Sequence, residues 1–330
     1  MKEKNSDSRK RIVVINSPIN KIGTLPLSNL LKILIQFSDI FLIINENREV
    51  IFDDYLSTFH FNSLFFNYSL MNNPLLKICN YLLWQIKYSI KILRLYRRFN
   101  IFLSFREDFA IILIFVCKIL KKPTILLIGE SNIKDLKYSR DIIHGPIKII
   151  ANMTNRLSSF ITLYSPNLIS DYKLTAYHHK ILIAHEHFLD FDIFAISIPY
   201  RERPPLIGNI GRLSSEKGID LFFQAFPRIL EKNKNIRIFI VGDGSLRESI
   251  EEIIHDLNLI NHVEILGGIP HVELPKYLNQ LRLLVLPSYT AGLPNIILEA
   301  IAERGRKFME QEFTFKKAVE RWGDILGEIQ

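Results

Sequence analysis

The stretch Leu206–Asp220, LIGNIGRLSSEKGID, predicts a strand, a tight loop and the start of a helix. Apolar residues dominate its first five positions, as expected for a strand buried in a parallel sheet. The loop carries Gly211, Arg212, Lys217 and Gly218. Backbone N–H groups at the start of a helix, together with two cations, suit an anionic diphosphate. The same residues also fit an ordinary surface loop, so the motifs around them decide between the two interpretations.

Short apolar runs alternate with longer helical patterns on both sides of this stretch, which predicts parallel strand–helix–strand units. In the second half we predict strands at Leu206–Ile210, Ile236–Val241, Val263–Leu266 and Leu283–Leu286. In the first half we predict strands at Ile12–Ile15, Ile40–Ile44, Ile101–Phe105, Thr124–Ile128, Phe160–Leu163 and Ile181–Ala184. The predicted fold class is therefore α/β, with two Rossmann-like domains.

The connector Ser197–Pro205 combines prolines with charged residues, which suits a domain boundary. We predict one domain at residues 1–200 and a second at 201–330, with terminal helices at 303–329. Two doubly wound domains of this kind place a ligand cleft between the carboxyl ends of their strands.

Composition describes a globular protein with a basic first half. Of the 330 residues, 48% are hydrophobic and 23% are charged, which excludes a disordered chain. Residues 1–200 hold 25 Lys and Arg against 16 Asp and Glu, whereas residues 201–330 hold 17 against 18. No zinc-finger, helix-turn-helix or RNA-binding signature accompanies this excess, which favours an anionic membrane surface or a phosphate-bearing acceptor over nucleic acid.

Two further motifs follow predicted strands of the second half. In VGDG, residues 241–244, Gly242 allows close backbone approach, and Asp243 is placed to cap the next helix. In GLPNIILEA, residues 292–300, Pro294 fits the first helical turn and Glu299 lies inside the helix. Both motifs therefore place polar or flexible groups at the carboxyl ends of strands.

Taken in order, GRL-x-x-EKG, VGDG, V-x-I-L-G, VLPS and GLPN-x-x-LEA resemble the donor-binding domain of family 4 glycosyltransferases, which have GT-B architecture. The resemblance covers residues 206–302 and resumes at 303–329, where EFTFKKAVERW is similar to the helix that crosses back to the other domain. The first half resembles the acceptor domain more loosely. The resemblance implies retaining transfer of a sugar from a nucleotide diphosphate sugar, with no metal and no cofactor.

The resemblance also assigns roles to individual residues. Arg212 and Lys217 are the catalytic pair, which holds the donor diphosphate and stabilises its charge as the leaving group departs. Glu299 accepts hydrogen bonds from the nucleotide ribose, and backbone N–H groups at the helix N-terminus meet the distal phosphate. The donor-side set is Gly211, Gly242, Gly292, Leu293, Asn295 and Glu299.

The sequence departs from the family pattern in two places. The family's E-x7-E helix pattern reads Ala291-x7-Glu299 here, so the carboxylate that contacts the donor sugar is absent. Directly after Ala302 the chain continues with the terminal helices, although further strands and helices are expected there. We interpret this junction as an internal deletion, which leaves the second domain with about four strands and an exposed strand edge.

On the acceptor side, Gly23 and Thr24 lie where the family's loop approaches donor and acceptor, and an ordinary turn explains them equally well. His144 is a further candidate for the acceptor side, although most such histidines are structural. A second histidine group, His178, His179, His185 and His187, lacks the spacing of a metal site. No metal site is predicted.

The predicted helix at residues 74–99 has two apolar faces separated by cations. One apolar face carries Cys79, Leu82, Leu83, Ile86, Ile90 and Leu93; the other carries Tyr81, Trp84, Tyr88, Ile92 and Leu95. The cations between them are Lys87, Lys91, Arg94 and Arg98. This pattern fits core contact on one side and an anionic membrane surface on the other, or a helix that is buried on both sides.

The leading hypothesis is a cytoplasmic glycosyltransferase that associates peripherally with the membrane and acts on a lipid-linked or polysaccharide acceptor. A non-catalytic, internally deleted relative that binds only nucleotide or a partner is the alternative. A sugar-nucleotide epimerase of the same fold is the third hypothesis. The two cysteines, Cys79 and Cys117, show no disulfide or zinc spacing, which fits a reducing compartment.

Overall fold

The chain forms two compact units, each built on a parallel sheet. The computed structural model describes residues 9–15, 24–45, 62–66, 74–105, 110–129, 144–289, 294–302 and 306–329. Residues 1–188 and 315–330 belong to the first unit, and residues 189–314 form the second. The α/β class and the two Rossmann-like units confirm the predicted fold class.

The first unit contains a seven-stranded parallel sheet in the order β3-β2-β1-β4-β5-β6-β7. Its strands are β1 (Lys10–Ile15), β2 (Ser38–Asn45), β3 (Asn62–Phe66), β4 (Ile101–Phe105), β5 (Thr124–Ile128), β6 (Phe160–Leu163) and β7 (Ile181–Ile183). Its helices are α1 (Thr24–Leu34), α2 (Pro74–Leu95), α3 (Ile111–Ile119), α4 (His144–Leu157) and α5 (Asn167–Asp171). The central strand β1 pairs Ile12 with Ile40 on one side and with Ile101 on the other.

The second unit contains a four-stranded parallel sheet in the order β10-β9-β8-β11. Its strands are β8 (Leu206–Ile210), β9 (Arg237–Val241), β10 (Val263–Gly267) and β11 (Leu283–Leu284). Its helices are α6 (Ile219–Lys232), α7 (Arg247–Asp256), α8 (Leu274–Leu278), α9 (Asn295–Ala302) and α10 (Arg306–Glu312). The count of four strands in the described part of this unit is the predicted one. The strand β11 lies at one edge of that sheet, where Leu283 is 53% exposed.

One strand of the first unit was not predicted. The strand β3 lies at the edge of the sheet and pairs only with β2 among the described strands. Its sequence, NSLFF, has three consecutive apolar residues after an asparagine and a serine, so it lacks both the alternation and the longer apolar run that indicate a strand. Pairing with β2 therefore stabilises a strand that the local sequence does not specify by itself.

The two compact units do not divide the chain between residues 200 and 201, where the sequence predicts the domain boundary. Leu189 already belongs to the second unit, where its N–H donates to the carbonyl of Phe313 at 2.9 Å. The last helix, α11 (Phe315–Glu328), belongs instead to the first unit. There Trp322 is fully buried and donates from Nε1 to the carbonyl of His185 at 3.2 Å. Within the EFTFKKAVERW segment, the residues from Phe315 onwards thus belong to the first unit, and those before it to the second.

Candidate functional site

The loop after β8 has the strand–loop–helix geometry that its sequence predicts. Ser215–Lys217 forms one 3-10 turn, and Gly218 at φ +64° leads into α6. A side chain at Gly218 would overlap the carbonyl oxygen of Pro287, which lies in the segment after β11. Since only glycine combines a left-handed backbone with this close approach, Gly218 fixes the loop against its neighbour.

Two of the predicted donor-side glycines meet at the carboxyl ends of β8 and β9. The N–H of Gly211 donates to the carbonyl of Val241 at 2.9 Å. Gly242 has φ +140°, and an added Cβ there would overlap the carbonyl oxygen of Gly211. The backbones of the two loops are therefore in direct contact, which leaves their polar groups close together at one edge of the sheet.

The two predicted cations share this loop. The guanidinium of Arg212 lies 3.6 Å from the carboxylate of Glu216, and the Arg212 side chain remains 39% exposed. Lys217 closes the 3-10 turn, with its N–H donating to the carbonyl of Ser214 at 2.9 Å. The loop therefore carries two cations, of which Arg212 directly follows Gly211.

Glu216 lies inside the sequence motif and has a structural part in this loop that the motif alone does not assign to it. It is buried and accepts a hydrogen bond from the Ser214 hydroxyl in addition to its ion pair with Arg212. Its carbonyl also accepts the N–H of Tyr289 at 3.0 Å. Glu216 therefore holds the loop to the segment after β11 and orients the guanidinium of Arg212. The sequence signal that could have identified Glu216 is its place in the GRL-x-x-EKG motif, two residues after Ser214.

Glu299 lies on α9 and is buried, with 4% of its surface exposed. Its Oε1 is 2.8 Å from Nε2 of His271, in the 3-10 turn His271–Glu273. This hydrogen bond with the Glu299 carboxylate raises the pKa of His271. The structure therefore places Glu299 against His271, a residue without an assigned role in the sequence.

The remaining predicted site residues divide into two groups. Asn295 is the first residue of α9, and Thr24 and His144 are the first residues of α1 and α4. Gly23, Ala291, Gly292 and Leu293 lie outside the described residues. The structure thus brings together Gly211, Gly242 and the Arg212–Lys217 loop, whereas the roles of the acceptor-side residues stay predictions.

A second group of titratable side chains lies in the first unit, after strands β6 and β7. Tyr164 donates its hydroxyl to Oε1 of Glu186, and burial raises the pKa of that carboxyl to about 7. Burial and the neighbouring Arg321 lower the pKa of His185 to about 3. In the described part of the chain, no three His, Cys, Asp or Glu side chains converge as a metal site would require.

Glu186→Gln is expected to stabilise the first unit at pH 8 by up to about 3 kcal/mol, because one pKa unit corresponds to about 1.4 kcal/mol. With its pKa raised from 4.5 to about 7, Glu186 binds its proton more tightly in the folded state. The stabilisation of the folded state by protonated Glu186 is fully present below pH 4.5 and is lost as the pH rises through about 7. Gln retains the shape of the protonated acid without this loss.

Tryptophan fluorescence during urea unfolding measures this effect, since Trp84 and Trp322 both lie in the first unit. The control is Asp171→Asn, at an exposed carboxylate of the same unit, which should keep the wild-type dependence on pH. An equal stability difference between wild type and Glu186→Gln at pH 4.5 and pH 8 would contradict the argument.

Comparisons with known proteins agree with this geometry. Residues 191–304 match the family model for glycosyl transferases group 1. The alpha-D-kanosaminyltransferase of Streptomyces kanamyceticus is 30% identical over 132 residues, which cover 38% of this chain and 34% of that protein. The gpi3 subunit of a phosphatidylinositol N-acetylglucosaminyltransferase from Schizosaccharomyces pombe is 31% identical over 91 residues, 28% of this chain and 20% of that protein. The chain thus matches about a third or less of the length of these two curated relatives.

Among solved structures, the Anabaena protein HepE in complex with UDP is similar over 88% of this chain and 78% of its own, with a TM-score of 0.66 and 15% identity. At that identity the likeness concerns the fold. The fold accounts for the two parallel sheets, and the family match covers the loop that carries Gly211 and Arg212. Residues 191–304 are therefore similar to the glycosyl transferases group 1 family, and the two Rossmann-like units of the chain have the GT-B fold.

Proposed function

We propose that this protein is a retaining glycosyltransferase that moves a sugar from a nucleotide diphosphate sugar to a lipid-linked or polysaccharide acceptor at a membrane surface. The observation that carries the proposal is the contact between Gly211 and Gly242 beside Arg212 and Lys217. Four features of an anionic-ligand site coincide there: strand carboxyl ends, a helix start, close backbones and two cations. The solved complex of HepE with UDP supports a nucleotide ligand for this fold.

The chemistry follows from the charge that develops on the donor. When the sugar–oxygen bond breaks, the nucleoside diphosphate leaves with additional negative charge. Arg212 and Lys217 stabilise that charge electrostatically, and Glu216 keeps the guanidinium in place before the reaction begins. No cofactor takes part in this proposal, and no general base is assigned.

The acceptor part of the proposal rests on the outer surface of α2. Trp84, Tyr88 and Ile92 are buried against α3. On the other face, large apolar side chains are between 42% and 57% exposed: Leu82, Leu83, Ile86, Ile90 and Leu93. These exposures, in the described part of the chain, favour the membrane-facing interpretation over burial of α2 on both sides. An exposed apolar face with cations beside it is typical of a helix that lies in a lipid interface.

The neighbouring helices extend this surface. In contact with α2, helix α3 exposes Phe115 and Ile119, and in contact with α3, helix α4 exposes Ile149 and Met153. Residues 74–100, 110–129 and 144–159 contain eleven Lys and Arg and no Asp or Glu. This charge pattern suits anionic lipid headgroups, each cation contributing about 1 kcal/mol near such a surface.

We propose peripheral rather than spanning association with the cytoplasmic side of the membrane. Within the described residues, none of the helices combines the length and apolarity that crossing a bilayer requires. Cys79 and Cys117 are both free thiols, which fits a reducing compartment. A lipid acceptor is in keeping with the Schizosaccharomyces pombe relative, whose name specifies transfer to phosphatidylinositol.

Isothermal calorimetry with UDP, ADP and GDP tests the donor site, and transfer of radiolabelled sugar to lipid extracts tests the reaction. We expect one of the three nucleotides to bind and the matching nucleotide sugar to label a lipid or polysaccharide product. Binding without transfer would favour the non-catalytic relative, and conversion of the free nucleotide sugar would favour the epimerase. The absence of binding by all three would refute the donor site.

A further inference from the structure

The contact between His271 and Glu299 joins elements from the two edges of the second sheet. His271 follows the edge strand β10, and Glu299 lies on the helix that follows the opposite edge strand β11. The 2.8 Å hydrogen bond between them spans 28 residues of sequence. The ring of Phe194 lies beside His271, with their centroids 5.6 Å apart, so His271 is packed as well as hydrogen-bonded.

The burial of Glu299 makes this contact important. A carboxylate that is 4% exposed needs a hydrogen-bond donor, because burying an unpaired charge is strongly unfavourable. In the described part of the chain, that donor is His271, which bonds Oε1. The His271 side chain is 47% exposed, so it can exchange a proton with solvent.

We infer that His271 is a positioning residue for the donor: it fixes the Glu299 carboxylate and, when protonated, cancels its negative charge beside the anionic nucleotide. The inference rests on the proposed function and on the role that the family resemblance implies for Glu299, which is to accept hydrogen bonds from the nucleotide ribose. Without a cation at position 271, a diphosphate would bind next to an uncompensated carboxylate, and like charges in a poorly solvated site repel each other. His271 thus acts on the donor through Glu299 rather than by touching it.

The inference predicts a definite dependence on pH. Among the described residues, the charged group that faces His271 from another element is Glu299; Phe194 is uncharged, and Glu273 lies on the same turn as His271. Glu299 raises the pKa of His271, so the imidazole is protonated below that raised pKa and neutral above it. Donor affinity is therefore highest at the lower pH and falls as the pH rises through the pKa of His271.

The test is calorimetric titration at pH 6 and pH 8 with whichever of UDP, ADP and GDP the wild-type protein binds. His271→Gln keeps a hydrogen-bond donor for Glu299 but carries no charge. The control is His255→Gln, at a 79% exposed histidine that also lies beside a carboxylate, Asp256, at 3.6 Å. The terminal phosphate of the nucleotide titrates near pH 6 itself, but it does so equally for every variant.

We expect wild type and His255→Gln to lose about tenfold more affinity between pH 6 and pH 8 than His271→Gln does, the effect of about one pKa unit of coupling. The difference in affinity between wild type and His271→Gln should shrink as the pH rises, because His271 then loses its charge and both side chains donate a neutral hydrogen bond. His271→Ala, which also removes the hydrogen bond, should bind about fivefold more weakly than His271→Gln at both pH values.

Equal pH dependence in wild type and His271→Gln would overturn the role of His271 while leaving the donor site intact. Failure of the wild-type protein to bind any of the three nucleotides would remove the proposed function, and this role with it. Thermal unfolding of each variant shows whether it is folded, and His271→Gln, which replaces the hydrogen bond, keeps the comparison valid if His271→Ala does not fold.

Discussion

Arg212→Ala is expected to lower the turnover of sugar transfer by about 100- to 1000-fold, the usual loss when a preorganised stabiliser of transition-state charge is removed. The larger effect should fall on kcat rather than on KM, because the extra charge appears only as the donor bond breaks. The measurement is the steady-state rate of transfer with the nucleotide sugar that binds. Lys217→Gln should act in the same direction, and the double variant should lose less than the product of the two effects.

The matched control for this prediction is Arg228→Ala, at an exposed arginine on α6 of the same unit. It should retain wild-type turnover, because it lies outside the loop that contacts Gly242. In Arg212→Ala, the Glu216 carboxylate still accepts the Ser214 hydroxyl, so the loop is expected to remain folded. Undiminished turnover in a folded Arg212→Ala protein would show that the loop does not stabilise the leaving group.

Replacement of Lys87, Lys91, Arg94 and Arg98 by Gln is expected to weaken binding to anionic vesicles by about 1000-fold, or about 4 kcal/mol at 1 kcal/mol for each cation. The apolar side chains of α2 are unchanged in this variant, so the lost binding reports the electrostatic part alone. Co-sedimentation with vesicles that contain phosphatidylserine measures it. The wild-type protein should also lose affinity as salt rises, because salt screens exposed charges.

The control for the membrane surface is a second fourfold Gln variant, at Arg228, Lys232, Lys234 and Arg237 of the second unit. It changes the net charge by the same amount but leaves α2 intact, so its vesicle binding should match that of wild type. Equal weakening in both variants would mean that net charge alone attracts the protein. Unchanged binding in the α2 variant would rule out the proposed surface. The separate variant Leu83→Ser with Ile90→Ser tests the apolar contribution.

Much of the second unit could be predicted, because its candidate site residues come directly after the carboxyl ends of strands. The glycines at positions 211 and 242 come directly after neighbouring parallel strands, whose carboxyl ends share one edge of the sheet. Their contact therefore followed from sequence order. The partner of Glu299 did not, because His271 is 28 residues away and meets it only through the packing of α9 across the sheet. Long-range side-chain pairs of this kind leave no local pattern.

In the first unit, too, packing between distant segments could not be predicted from the local sequence. The cation stripe of α2 was visible in the helical spacing, but the sequence did not say which of the two apolar faces is buried. Packing of Trp84 and Tyr88 against α3 decides that, and it depends on residues 111–119 rather than on the helix itself. The Tyr164–Glu186 pair was missed for a similar reason, since two separate strands bring its members together.

The return of α11 to the first unit has a consequence for how the chain is made. Trp322 is fully buried in a unit whose residues outside the segment 315–330 all precede position 189. The ribosome therefore has to synthesise the whole second unit before the first has all of its parts. We expect the nascent first unit to expose the site of Trp322 during that interval, and chaperone dependence to end when residues 315–329 emerge. In synthesis order, the unit that begins first is completed last.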